Sequence, residues 1–327
     1  MEIMSNGRGA ILTLDDSRSI ALDSDDPNAL ACVSHAHMDH LSGFGSRSAI
    51  TTEETKLILS ARGFRLRNHM RLGFGESTDL GSGLKVSVHP SGHMLGSAVF
   101  EVEVDGMKVL YTGDLNTEPS ILHDPAWSTD AEVLVIESTY GSPVYRFKER
   151  DLVYSEIVRW IREVLRDGRI PAFNVYAAGK AQEIIALVNQ SIKVPVLVSR
   201  RVGSVASVYK RTYPWLDYVV EGSRSASEVL RDGCLVYVSD RVSQFEGLRL
   251  SWAVATGWAL TRSFGEFDAA FPLSSHADFA GLIDYVNSVS PRVVVTMYGH
   301  SSVFASHLRR LGRRAFSLDE IRNVRML

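Results

Sequence analysis

The sequence predicts an α/β fold made of two units that share a large core. Three observations carry that expectation. The chain has 327 residues, of which 45% are hydrophobic, enough for two domains. Its first section reads as short strands joined by turns, and after Pro143 the texture changes to helices and strands in alternation, the pattern of an α/β unit.

Residues 9–14, 19–22 and 29–33 read as strands separated by Asp-Asp and Asp-Pro turns. Residues 52–62 have helical composition, and 84–89, 98–104 and 108–111 read as strands, the last two joined by the turn Asp105-Gly106. Within residues 131–137, the run Val133-Leu134-Val135-Ile136 shows no polar alternation, as in a strand buried on both faces. Beyond Pro143, helices are expected at 149–167, 180–189 and 204–213, the first closed by Gly168. Strands are expected between and after them at 171–176, 194–198, 234–239 and 253–256. A helix at 278–288, a strand at 292–297 and a helix at 303–311 end the series.

Composition narrows the chemistry. Cys32 and Cys234 are the only cysteines, too few for a disulfide framework and without zinc-binding CxxC spacing. Any metal must therefore sit on histidines and carboxylates. No run reaches the roughly 18 apolar residues of a membrane helix, and the first residues lack a secretory signal pattern. The expected location is the cytoplasm, with no membrane partner. A net charge of -3 exerts no global pull on nucleic acid, so such binding would rest on local basic patches.

The run His35-Ala36-His37-Met38-Asp39-His40 follows the third strand directly. In an extended segment, His35, His37 and Asp39 point to one side and His40 turns into the next element. Imidazoles with carboxylates suit Zn2+, and also Fe2+ or Mn2+, whereas an all-oxygen calcium or magnesium site is disfavoured. The bland alternative is a cluster of surface histidines. His93, in Ser91-Gly92-His93, and Asp114, in Thr112-Gly113-Asp114, lie on loops at strand ends and fit the same site. Each alone reads equally as a turn residue; their appearing together favours ligation.

HxHxDH, a later Gly-His and a later Thr-Gly-Asp, in this order, resemble the metallo-β-lactamase superfamily. The resemblance implies an αββα sandwich with two divalent ions at one edge of its sheets. It implies that His35, His37 and His93 hold one ion, that Asp39 and His40 hold the second, and that Asp114 bridges them. Asp23, at the end of Ile20-Ala21-Leu22, matches the first acidic motif and would orient a ligand; by itself it reads as a turn residue.

Glu137-Ser138-Thr139-Tyr140-Gly141 and Ser274-Ser275-His276-Ala277-Asp278 resemble motifs A and B of the β-CASP group, whose active members cut DNA or RNA. Tyr176-Ala177-Ala178-Gly179-Lys180-Ala181-Gln182-Glu183 resembles that group's helix-opening segment. The likeness covers nearly the whole chain. It implies a metallo-β-lactamase domain in residues 1–142 and 273–327, with a β-CASP domain inserted at 143–272. The expected chemistry is phosphodiester hydrolysis by metal-activated water, with Asp39 in the reaction centre. His276 would be the general acid, and Glu137 would set its tautomer. Motif C departs from the pattern: gapless counting from Phe304-Ala305 puts Tyr298 where many members carry histidine, with His300 two positions later as a candidate ligand or a loop histidine.

The implied partner is DNA or RNA, single-stranded, and the words Glu137 to Tyr145 and Gly179 to Gln182 resemble short exonuclease-like members. Association with other nucleic-acid-processing proteins fits that likeness. Arg62, Arg65, Arg67, His69 and Arg71 around Phe64 read as a solvated helix end or as phosphate contacts. Arg200-Arg201 share that ambiguity, Lys180 would meet a phosphate at a helix N-terminus, and Trp215, Trp252 and Trp258 read as core. Two other functions remain: a hydrolase of small esters, which leaves the Glu137 and His276 pair unexplained, and an inactive scaffold subunit, which usually lacks metal ligands.

Overall fold

The computed structural model describes the chain apart from residues 6–8, 17, 25, 27, 42–47, 67, 321–322 and 326–327, so Arg67 lies outside the described residues. It forms two compact units. The first comprises Met1–Pro119, His123–Arg146 and His276–Leu327; the second comprises Ser120–Leu122 and Phe147–Ser275.

Among the described residues of the first unit there are two seven-stranded sheets. One runs in the order Asn323–Arg325, Glu2–Ser5, Ala10–Thr13, Ser19–Leu22, Leu30–Cys32, Ser48–Thr51 and Asn68–Arg71. The other runs Ala315–Ser317, Val293–Met297, Val133–Glu137, Met107–Tyr111, Ala98–Val104, Leu84–Pro90 and Ser77–Asp79. Both are mixed, with antiparallel hairpins on one side and parallel strands on the other. Hairpins need only short turns, and Asp105 and Gly106 supply one with φ of 49° and 81°, as a tight two-residue connection requires. Parallel pairing needs longer crossovers.

The sheets pack through alternating side chains. Leu12, Ile20 and Leu22 of the first sheet meet Phe100, Val109, Tyr111, Val133 and Val135 of the second in one core. Leu110, Leu134 and Ile136 point the other way, onto Leu282 and Val286 of the helix Phe279–Val289 and Phe304 and Leu308 of the helix Ser301–Arg310. The run Val133–Ile136 is thus apolar throughout because both of its faces are covered. Met107–Tyr111, Val133–Glu137 and Val293–Met297 are adjacent and parallel, which brings the loops after them to one sheet edge.

The second unit is a six-stranded, fully parallel sheet in the order Val219–Val220, Val196–Val198, Val236–Ser239, Ile170–Asn174, Leu250–Ala255, Ala269–Phe271. The helices Arg150–Arg166, Lys180–Ser191, Arg200–Thr212 and Arg224–Asp232 belong to it. The helix expected from residue 204 begins at Arg200, because the Ser199 side chain caps the N–H of Val202. Val219–Val220 and Ala269–Phe271 were not expected, since strands of two or three residues carry no readable period.

Three expectations change. Asn68–Arg71 in the basic stretch is an edge strand rather than a helix end; the exposed Arg71 on it discourages pairing with another chain. Trp215 is 44% exposed and not core. Lys180 is buried, and its ammonium lies 2.6 Å from Glu183, which also accepts from Arg150 at 2.7 Å and from the Tyr154 hydroxyl at 2.6 Å. Burial favours a neutral Glu183, but Lys180 and Arg150 outweigh it and hold the carboxyl at about 2.

A depressed carboxyl stabilises the fold above its unfolded value of 4.5, and that contribution fades as the pH falls toward about 2. Glu183→Gln leaves two buried cations without a counter-charge and is expected to cost about 3–5 kcal/mol near neutrality. Urea unfolding of both proteins between neutral pH and pH 3 checks this, with the gap narrowing on acidification.

Candidate metal centre

The site grows from the carboxylate of Asp23, which ends the strand Ser19–Leu22 with φ of 45°, a conformation aspartate tolerates better than most residues. It accepts the Ser34 N–H at 2.7 Å and the Tyr111 hydroxyl at 2.8 Å, and it lies 3.1 Å from His40 Nδ1. The Ser34 hydroxyl also donates to it. With that proton committed, Ser34 Oγ accepts from His35 Nδ1 at 2.8 Å. His35 is thereby set to the tautomer whose Nε2 carries a lone pair.

That Nε2 is buried without a hydrogen bond, and it faces Asp114 Oδ2 at 3.2 Å. A lone pair against a carboxylate oxygen repels unless a cation lies between them, so this orphaned atom fits a bound metal. Around the same carboxylate stand His93 Nε2 at 3.6 Å and His40 Nε2 at 3.5 Å, and His37 Nδ1 lies 3.2 Å from His93 Nε2. His35, His37, His93 and Asp114 form one group able to hold a metal, and Asp23, His35 and His40 form another. Gly113 permits the approach of Asp114: its φ is 52°, and a Cβ there would meet Ser34 at 2.5 Å.

Charge is distributed unevenly among these rings. Burial, reinforced by His276, pushes His93 well below its usual value and keeps it in the neutral, ligating form. Burial also opposes charge on His40, but Asp114 and then Asp23 outweigh it and raise the ring to about 10. In Asp114 the effect of burial is overcome by His40, His276 and His35, which hold its carboxyl well below the usual range.

Glu137 and His276 stand on the other side of Asp114. Glu137 is fully buried at the end of its strand and accepts N–H groups from Leu115 at 3.1 Å and Thr139 at 2.9 Å. Its Oε1 lies 2.8 Å from His276 Nδ1, so the ring donates there and turns Nε2 toward Asp114 Oδ2, 4.0 Å away. Burial resists protonation of His276, but Glu137 and Asp114 raise it to about 9.

Asp39 sits exposed on the short turn Met38–His40 and belongs to none of the metal-capable groups among the described residues. His300 does not join them either; it precedes the helix Ser301–Arg310, with its ring 5.3 Å from that of Tyr145. Tyr298 takes the place beside the cluster. Its ring lies 4.7 Å from His40 and its hydroxyl 3.3 Å from that of Tyr111, and its φ of 62° is unusual for a bulky side chain. Ser34 and Tyr111 were missed by sequence reasoning. Only a polar residue beside His35 and a tyrosine at the end of an apolar strand could have signalled them. Of the basic stretch, Arg62 reaches the loop that carries His35 and His37, donating to the Ala36 carbonyl.

No family model matches the chain. It is 30% identical over 307 residues to a protein named probable DNA ligase from Opitutus terrae, across 91% of this chain and 30% of that one. It is 31% identical over 242 residues to an RNase J-like protein from Methanocaldococcus jannaschii, across 65% of this chain and 55% of that one. The chain thus spans 30% and 55% of the length of these relatives. The crystal structure of a protein of unknown function from Enterococcus faecalis superposes with a TM-score of 0.62 at 16% identity, covering 90% of this chain and 93% of that one; at that identity the likeness speaks for the fold alone. Two packed mixed sheets, an α/β insertion, the ordered His and Asp motifs and these relatives are all consistent with the resemblance to the β-CASP group of the metallo-β-lactamase superfamily.

Proposed function

We propose that this chain is a metal-dependent nuclease that hydrolyses phosphodiester bonds of DNA or RNA. The observation that carries this reading is the Glu137–His276 pair, aimed at the same Asp114 carboxylate that His35, His40 and His93 surround. In this reading His35, His37, His93 and Asp114 would hold one divalent ion. Asp39 and His40, with Asp114 between the sites, would hold a second. Zn2+ suits the histidine-rich donors best, with Mn2+ or Fe2+ as alternatives. Such ions, when bound, activate water near neutral pH and offset charge on phosphoryl oxygens.

The chain's own groups do the rest. Ser34 fixes the tautomer of His35 and Asp23 orients the ring of His40, so that both present Nε2 inward. His276 carries a proton on Nε2 and would deliver it to the departing oxygen. Glu137, held by two backbone amides, keeps that ring oriented and charged. Hydrolysis of small esters would leave this second carboxylate and imidazole without a task.

We assign the β-CASP insertion to the second unit, and take the cut to be exonucleolytic on single strands. The likeness to a stretch of a longer protein named a DNA ligase supports DNA and an association with other nucleic-acid-processing proteins; the RNase J-like relative supports RNA. The free thiols Cys32 and Cys234 fit a reducing, cytoplasmic setting.

Purified protein should contain bound transition metal and release labelled nucleotides from end-labelled single-stranded DNA or RNA. The variant His37→Ala, Asp39→Ala should lose both properties; a wild type that cuts neither polymer would sink the reading. His276→Ala is expected to lower kcat by about 10²- to 10⁴-fold while metal content stays unchanged, as read by elemental analysis. Because Tyr298 contributes no imidazole beside His40, Tyr298→His should tighten the second ion. Metal titration would then show two ions held at concentrations where the wild type retains one.

A further inference from the structure

We propose that the second unit carries a nucleotide site of its own, one that binds a ribonucleoside monophosphate through its phosphate and ribose. This goes beyond the nuclease reading and does not depend on it. Strand order locates the site. Val196–Val198 and Val236–Ser239 are parallel neighbours, yet the chain leaves the first toward Val219–Val220 on one side and the second toward Leu250–Ala255 on the other. Such a divergence opens a crevice beyond the carboxyl ends of the two strands, the usual ligand position in open α/β sheets. Ile170–Asn174 and Leu250–Ala255 diverge in the same way, but there Lys180 is already held by Glu183.

At the first divergence lies a cavity of about 370 Å³ lined by Ser199, Arg200, Arg201, Glu221, Asp240 and Arg241, within the ordinary size range of small-molecule sites. Its charges are divided by role. Arg201 pairs with Asp240 at 2.9 Å, and Asp240 also accepts from the Ser199 hydroxyl at 3.2 Å, so these groups build the wall. Arg200 and Arg241 form no ion pair among the described residues. The guanidinium of Arg200 lies over Gly222, where an added Cβ would stand 2.8 Å from Nη2. Two guanidinium groups beside the start of the helix Arg200–Thr212 are suited to a phosphate.

Glu221 indicates what the phosphate is attached to. It follows Val219–Val220, the strand beside Val196–Val198, on the far side of the intervening helix. In mononucleotide-binding strand–helix–strand units, an acidic residue about 20 positions past the helix start receives the ribose hydroxyl. Gly203 matches the close helix-to-strand packing of such units, since a Cβ there would lie 2.8 Å from Val220 Cγ2. The glycine-rich turn is absent; Ser199-Arg200-Arg201 replaces it, so phosphate recognition passes from backbone amides to guanidinium groups.

The test is calorimetric titration of the full chain with each ribonucleoside 5′-monophosphate and its 2′-deoxy counterpart. Saturable binding of a ribonucleotide is expected, weakened about 10- to 100-fold by Arg200→Ala combined with Arg241→Ala. The exposed Arg241→Glu alone should weaken it in the same direction without endangering the fold. Glu221→Gln should erase the preference for ribose over deoxyribose, and His93→Ala should leave binding intact. Absence of saturable binding overturns the proposal. So does binding that His93→Ala abolishes and the arginine variants spare, which would place the nucleotide at the metal centre. Failure of the nuclease assay alone leaves this result standing.

Discussion

The carboxylate of Asp114 is the constraint around which the first unit is arranged. It is 4% exposed, and four imidazoles point at it from 3.2 to 4.0 Å. A carboxylate so deeply buried is tolerated only when cations or strong donors surround it. The rings come from three loops that are distant in sequence. The adjacent parallel strands put Asp114, Glu137 and Tyr298 at one sheet edge, and the loop after Leu30–Cys32 supplies His35, His37 and His40 opposite them. Fold and site are therefore one arrangement: the parallel half of each sheet determines where the charge collects.

Behind Asp114 stands a second carboxylate with a different task. Asp23 is buried and gathers donors from Ser34, Tyr111 and His40. Its value lies in committing protons: once Ser34 donates to Asp23, the tautomer of His35 follows, and Asp23 itself orients the ring of His40. Tyr298 closes this side of the centre in a left-handed conformation. Strain of that kind persists where the surroundings enforce it, here through Gly299, Ser138 and the contact with Tyr111. The residue that distinguishes this chain from the histidine-bearing pattern thus sits in the tightest part of the loop.

The second unit uses charge in two contrasting ways. Glu183 is buried with Lys180, Arg150 and Tyr154 and locks the start of its helix. At the carboxyl ends of neighbouring strands, Arg200 and Arg241 remain accessible. Burial separates the two cases: where water is excluded, cations must be neutralised by the chain itself, and where it is not, they are available to a ligand.

Most of the chemistry was legible in the sequence because it is local. His35 to His40 lie within one turn of chain, and Gly-His and Gly-Asp sit at strand ends, so spacing alone argues for ligation; Glu137 and His276 became a pair through their resemblance to known motifs. Apolar runs such as Val133–Ile136 announced buried strands for the same reason, since alternation is a property of neighbours in sequence. Other features arise from contacts between distant segments. Whether Tyr298 or His300 faces His40 depends on the path of the loop after Val293–Met297, not on its composition. Asp39 lies exposed on the turn Met38–His40, and Lys180 became a structural cation only when Glu183 closed on it. Sequence by itself determined the candidate donor set and its order. Tertiary structure decided which nitrogen of each ring faces inward, which cations are neutralised and which strand ends diverge, because burial and proton sharing are set by what the folded chain packs against each group.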